Sequence, residues 1–214
     1  NIAKKKNKLL SEAIFYNYHA QIEKLLELIK DKKKINKVKV NFAIPMPEKK
    51  SILLSKKFKG GVIMDMGPYA ASINRIFFSE KITYEKIIVR KNLQNLPISF
   101  RLKLEYNKKK FEGFFKFGDN YINQVIIFTK TKKIELNRVF SPPSNEDLNL
   151  TVTENNKKIN YLIKKDDCFE NYFLNLTKNF YKKNYSSHLI QIKKDHLFRN
   201  KIENKFLGKN DKSL

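Results

Sequence analysis

The stretch GGVIMDMGPYAASINRIFF, Gly60–Phe78, divides the chain into two differently patterned parts and holds three of its six glycines. From Met66 onward, Ala70, Ile73 and Phe77 recur at helical spacing, so a helix is expected over Met66–Phe77. Asp65 stands just before it as a plausible N-cap, and Pro68 is tolerated in a first turn. Gly60 and Gly61 allow the entering backbone to turn tightly or to pass close to a ligand. Neither G-x-G-x-x-G nor G-x-x-x-x-G-K-[ST] occurs, so this is no nucleotide-phosphate loop. Asp65 and Tyr69 are four residues apart and share one helix face. The residues alone leave two accounts open. One is a turn, a cap and a helix start. In the other, a carboxylate and a phenol at a helix mouth hold and protonate a sugar-like hydroxyl or carbonyl.

Upstream, LLSEAIFYNYH reads as a buried strand and its exit loop, followed by the amphipathic stripe Ile22, Leu25, Leu26, Ile29. INKVKVNFAI alternates, placing Val38, Val40, Phe42 and Ile44 on one face of a strand. Downstream come strand-like runs at Ile82–Arg90, Ile98–Tyr106, Lys110–Phe117, Tyr121–Thr129, Lys133–Phe140 and Leu148–Ile163, the last with a hairpin at ENNKK. Two terminal helices follow, striped by Phe169, Tyr172, Phe173, Leu176, Phe180 and by Phe198, Ile202, Phe206. Consecutive strands joined by short turns predict an α+β fold. Its sheet is open and mostly antiparallel, with helices on one face. Phe111, Phe115 and Phe117 point to one side of their strand and Phe114 to the other, so the second face is expected to be covered by a further copy, in a homodimer or a higher oligomer.

The chain has 214 residues and a net charge of +24. Forty lysines stand against five arginines, with 24 asparagines, and the excess is spread evenly. Arginine is preferred for bidentate phosphate and base contacts, so the pattern argues for compositional drift over a nucleic-acid footprint. The positive field still favours anionic ligands. No run is long and apolar enough to span a membrane. The single Cys168 makes no internal disulfide, which fits a reducing, cytoplasmic location. With no initiator methionine, Asn1 opens in what looks like a helix end, so a fragment is expected and a leader upstream stays open.

GGVIMDMGPYAASINRIFF resembles the G-G-G-x-L-x-D-x-G-x-[HY] segment of the glucose–fructose oxidoreductase / inositol dehydrogenase (Gfo/Idh/MocA) family. SEAIFYNYHAQIEKLLELI is similar to that family's E-A-F-x-Y-R-x-H-P-Q segment, and NRVFSPP and DDCFENYFLNLTKNF resemble features of its nucleotide-sugar-like members. The resemblance implies an oxidoreductase acting on a sugar or nucleotide-linked sugar, with NAD or NADP in the full-length enzyme. It also implies that residues 1–18 end a truncated Rossmann domain and 19–214 form the substrate-binding and oligomerisation domain. The Rossmann motifs are absent from this chain, so no cofactor is expected on it alone. Asp65 matches the family's substrate-holding aspartate and Tyr69 its proton carrier. His19, with Tyr16 and Asn17 in the same exit loop, is implied to border the substrate. Asn17 replaces the usual arginine and Ala20 the usual proline.

His19 reads equally well as a structural histidine. His188 and His196 are expected on the surface of a basic helix. No metal-ligand spacing joins them to Cys168, so no metal site is expected. Arg138 is read as a sheet-face residue.

Overall fold

Apolar–polar alternation makes Ile35–Ile44 a strand, β1, whose Val38, Val40 and Phe42 are buried while Lys37, Lys39 and Asn41 keep contact with water. The computed structural model describes residues 2–118 and 120–208. Seven further strands follow: β2 (Tyr84–Lys91), β3 (Pro97–Tyr106), β4 (Lys109–Phe117), β5 (Ile122–Thr129), β6 (Lys132–Asn137), β7 (Leu148–Glu154) and β8 (Lys157–Ile163). Asn155 and Asn156, both at positive φ, form the two-residue turn between β7 and β8 where the hairpin is expected.

One open sheet results, in the order β2-β3-β4-β1-β5-β6-β7-β8. Every neighbouring pair is antiparallel except β1 and β4, which run parallel, with Val38 opposite Phe111 and Phe42 opposite Phe115. β1 is thus wedged between β4 and β5, two strands adjacent in sequence. The expected α+β fold with an open, mostly antiparallel sheet is the one observed.

Among the helices are α2 (Ala20–Ile29), α3 (Val62–Phe77), α4 (Cys168–Tyr181) and α5 (Ser186–Leu207), preceded by the short α1 (Ile2–Lys5). α2 packs on β7 and β8, α3 on β3 and β4, and α5 on α3 and β2. Ile22, Leu25, Met66, Ile73, Phe77 and Ile202 enter the same core as Phe100, Phe111, Phe115 and Ile127. The opposite sheet face carries lysines, Gln124, Thr151 and the half-buried Phe114, over whose ring Arg101 lies at 4.2 Å.

Four expectations are corrected. Residues 6–14 form no strand, because no neighbouring strand among the described residues pairs with their backbone; a 3-10 turn, Phe15–Tyr18, follows instead. α4 packs on that turn rather than on the sheet: Phe15 stacks on Phe169 at 4.0 Å and meets Tyr172 at 5.1 Å. Phe169, Phe173 and Phe180 of its stripe stay more than half exposed. α3 begins at Val62, so Gly61 rather than Asp65 is its N-cap, and Pro68 lies beyond the first turn. His188 is buried, since Ser11 bonds its Nδ1 at 3.0 Å, whereas His196 is exposed as expected.

Candidate functional site

The glycine pair is explained by packing. At Gly61 φ is 109°, and a Cβ there would stand 2.6 Å from Pro97 Cγ. At Gly60 it would stand 2.6 Å from the Leu53 carbonyl oxygen. The close approach is therefore to the chain's own backbone and to Pro97. Its result is to fix where α3 starts, and so where Asp65 and Tyr69 point.

Tyr69 sits in a nest of rings. Phe42 meets it edge-on at 5.4 Å, Phe140 lies at 5.4 Å and Tyr16 at 6.1 Å. Phe42 and Phe140 also touch each other at 4.9 Å, forming a continuous apolar floor. The ring of Tyr69 is half-buried, and its hydroxyl makes no hydrogen bond among the described residues. Burial, seconded by the charge of Asp65, pushes its phenol up, so it is protonated at neutral pH. Asp65 stands one turn earlier, half-buried, with no ion pair or hydrogen bond to its carboxylate among the described residues. Burial pushes its carboxyl up, while its place in the first turn of α3 sets its charge against the positive end of the helix. A free phenol donor beside an unpaired carboxylate over an aromatic floor can grip a hydroxyl and pass a proton to a carbonyl oxygen.

The other implied residues are placed differently. Tyr16 is fully buried, with its hydroxyl 2.8 Å from Ser72 Oγ, so it supports Tyr69 from beneath. Burial pushes its phenol up strongly against that hydrogen bond. His19 is the N-cap of α2: its Nδ1 accepts from the Gln21 N–H at 3.1 Å, which leaves the ring proton on Nε2. It is 1% exposed, and burial holds its imidazole below the usual value despite the opposing charge of Asp166. That Asp166 accepts from the Ala20 N–H at 2.7 Å and from Asn171 at 2.8 Å, tying α4 to the start of α2. The turn bearing His19 thus reaches Tyr69 through Tyr16, and His19 itself does capping work. Asn17 turns away, into a cavity of about 10 Å³ walled by Arg75, His188 and Asp195. Arg138 pairs with Glu146 at 2.8 Å.

Larger open clefts lie elsewhere. One of about 410 Å³ runs between Gly60, Met64, Leu96 and Phe206, and another of about 330 Å³ lies between α1 and α5. Neither is lined by Tyr69 or Asp65. The chemistry of the residues, not the size of a hollow, marks the candidate site.

Sequence reasoning did not single out Phe42, Phe140 or the polar group beside them. Asn123 is buried, and its Oδ1 accepts from the Phe140 N–H at 3.0 Å. Its Nδ2 donates to Tyr121 Oη and to Ser141 Oγ, each at 2.9 Å. The signal was present: Asn123 is a polar residue in phase with the core-facing Val125 and Ile127.

No protein-family model matches the sequence, and neither does a curated protein. Solved structures match by fold. KijD10, a 3-ketoreductase from Actinomadura kijaniata in complex with NADP and TDP-benzene, aligns with a TM-score of 0.82 at 16% identity over 92% of this chain and 62% of its own. UDP-N-acetylglucosamine 3-dehydrogenase GnnA from Acidithiobacillus ferrooxidans aligns at 0.72 and 9% identity over 96% of this chain and 65% of its own. Aldose-aldose oxidoreductase from Caulobacter crescentus, complexed with glycerol, aligns at 0.76 and 11% over 94% of this chain and 64% of its own. The chain spans less than two thirds of the length of these solved proteins. It shares its fold with part of each of these oxidoreductases.

Proposed function

We propose that this chain is the substrate-side part of an NAD(P)-dependent oxidoreductase acting on a sugar or nucleotide-linked sugar. The observation that carries the reading is the unbonded Tyr69 hydroxyl one helical turn from the unpaired Asp65, on a fold shared with sugar oxidoreductases. The neighbours' named substrates are sugars or nucleotide-linked sugars, and a field of +24 suits an anionic, nucleotide-linked one.

The residues described do not themselves fit a dinucleotide. Its pyrophosphate needs free N–H groups at a helix N-terminus, and a glycine turn that lets it approach. Here the Gly60–Gly61 turn is filled by Leu53 and Pro97, and Asp65 sets a negative charge in the first turn of α3. In this reading a separate dinucleotide-binding domain, to which residues 1–18 lead, holds the nicotinamide that accepts or delivers hydride.

What this chain contributes is proton and position. Phe42 and Phe140, both buried, brace the Tyr69 ring from beneath and hold its hydroxyl in place. Asp65 accepts from a ring hydroxyl and fixes the ring's register. The protonated Tyr69 gives its proton to a carbonyl oxygen as that oxygen gains charge in the reducing direction. In the oxidising direction it must first lose that proton, and its raised pKa calls for a neighbouring cation.

A second copy on the open sheet face completes the proposal. Ile88 and Ile122 are each more than 40% exposed there, and Phe114 lies between them on the central strands.

The test is expression of the full coding region, assayed by nicotinamide absorbance against sugars and nucleotide-linked sugars. Tyr69→Phe is expected to lower the rate roughly 10²- to 10⁴-fold with KM little changed, the range for loss of a positioned acid–base group. Unchanged turnover by that variant would remove Tyr69 from the reaction.

A further inference from the structure

The hydrogen-bond group next to Phe140 has one proton more than it can use internally. Asn123 Oδ1 accepts from the Phe140 N–H, which fixes the orientation of the amide. Its Nδ2 is therefore a donor only, and it faces both Tyr121 Oη and Ser141 Oγ. Those two oxygens lie 2.7 Å apart, so one hydroxyl donates to the other. Neither hydroxyl can donate to Nδ2. One O–H hydrogen is left without an acceptor among the described residues. Both side chains are exposed, so this hydrogen is open to a ligand. Ser141 directly follows Phe140, whose ring lies 5.4 Å from that of Tyr69. The spare donor is thus one residue beyond the aromatic floor, beside the start of β5 and the end of β6.

We propose that Tyr121 and Ser141, organised by the buried Asn123, form a subsite that donates a hydrogen bond to an acceptor oxygen on the part of the ligand distal to Tyr69. The proposal rests on the oxidoreductase reading for the identity of that ligand. Two sources share the required chemistry: a carbonyl or hydroxyl oxygen of a sugar, and a phosphoryl oxygen of a nucleoside diphosphate. Organisation by Asn123 is what distinguishes the pair from ordinary surface hydroxyls. The amide holds both oxygens before a ligand arrives, so little rotamer freedom is lost on binding.

The test is a two-dimensional NMR titration of the isotopically labelled chain, with UDP in one arm and N-acetylglucosamine in the other. The signals followed are the side-chain amide of Asn123, the backbone amides of Phe140 and Ser141, and those of Tyr69 and Ala70. Perturbation of Asn123 and Ser141, weakened about 2- to 12-fold in affinity by Tyr121→Phe/Ser141→Ala, is the expected result, corresponding to one neutral hydrogen bond. The double change leaves the buried Asn123 Nδ2 without either acceptor, so Tyr121→Phe alone, which keeps Ser141 Oγ as an acceptor, is titrated beside it and should melt close to the parent. A response to N-acetylglucosamine alone assigns the subsite to a sugar oxygen, and a response to UDP alone to a phosphoryl oxygen. Perturbation at Tyr69 with none at Asn123 overturns the subsite and leaves the oxidoreductase reading standing. Silence at both residues with both probes overturns the two together.

Discussion

Gly61→Ala and Gly67→Ala are expected to change stability in opposite directions, although the two glycines belong to one short motif. At Gly61, φ of 109° and ψ of 160° lie in a region open in practice only to glycine, and a side chain held there costs about 1–3 kcal/mol. The added Cβ would also stand 2.6 and 2.7 Å from Pro97 Cγ and Cδ and 3.0 Å from its carbonyl oxygen. A proline ring braced at the start of β3 cannot swing aside, so overpacking adds about 1–3 kcal/mol. Together the two effects amount to about 2–6 kcal/mol, a large share of the roughly 5–15 kcal/mol of an ordinary domain. Gly67 lies inside α3, and its Cβ would meet Arg199 Cγ at 3.5 Å, an ordinary contact with a flexible side chain. Replacing an interior helical glycine with alanine stabilises by at most roughly 0.5–1 kcal/mol, reduced here because a Cβ before Pro68 meets the proline Cδ. Equilibrium unfolding in urea measures both variants on the isolated chain. If Gly61→Ala unfolds within about 0.5 kcal/mol of the parent, the packing account of the glycine pair is wrong. Its conformational freedom would then have to serve a ligand.

Three further outcomes are expected. Burial holds His19 and His188 below the ordinary imidazole value of 6.5, so the unfolded chain takes up protons that the folded chain refuses. Stability should therefore fall as pH drops through that value, and His19→Asn, which keeps an N-cap acceptor, should flatten the slope of melting temperature between about pH 7 and 5. The raised carboxyl of Asp65 acts with opposite sign, favouring the fold at low pH and losing that effect from 3.8 upward. An unchanged slope in His19→Asn would show that its depressed pKa is not felt. Asp195, 2% exposed, grips Arg75 at 2.8 and 3.1 Å; Asp195→Ala should cost about 3 kcal/mol in urea unfolding by leaving the guanidinium unpaired, and a cost below 1 would refute that. Sedimentation of the chain should show a dimer that Ile88→Glu/Ile122→Glu converts to monomer, and a monomeric parent would end the sheet-face proposal.

Much of the fold was legible because its signals are local. Val38, Val40 and Phe42 alternate within one strand, and Asn155–Asn156 offer the two positive-φ residues that a tight hairpin needs. The helix start was misplaced for the converse reason. Asp65 has the chemistry of a cap, but Gly61 takes that role because Pro97, far along the chain, presses on the turn. α4 reads as a core helix from its stripe, yet Phe169 and Phe173 lean on the Phe15–Tyr18 turn rather than on the sheet. Tyr69 and Asp65 could be paired from their spacing. Phe42 and Phe140 could not, since no local pattern says that a strand and a distant loop bring their rings under one phenol.

The wedging of β1 between β4 and β5 bears on how the chain reaches this shape at all. β4 and β5 follow one another closely in sequence and have the pattern of a hairpin, so they can zip together within microseconds of emerging. If they do, the slot for β1 is closed, and Ile35–Ile44 is left as an unpaired apolar segment. β1 is made first and must wait until Thr129 has been synthesised before both its edges can be filled. The order of events during translation therefore matters, and a trapped β4–β5 hairpin is the misfolded species to look for when refolding is slow.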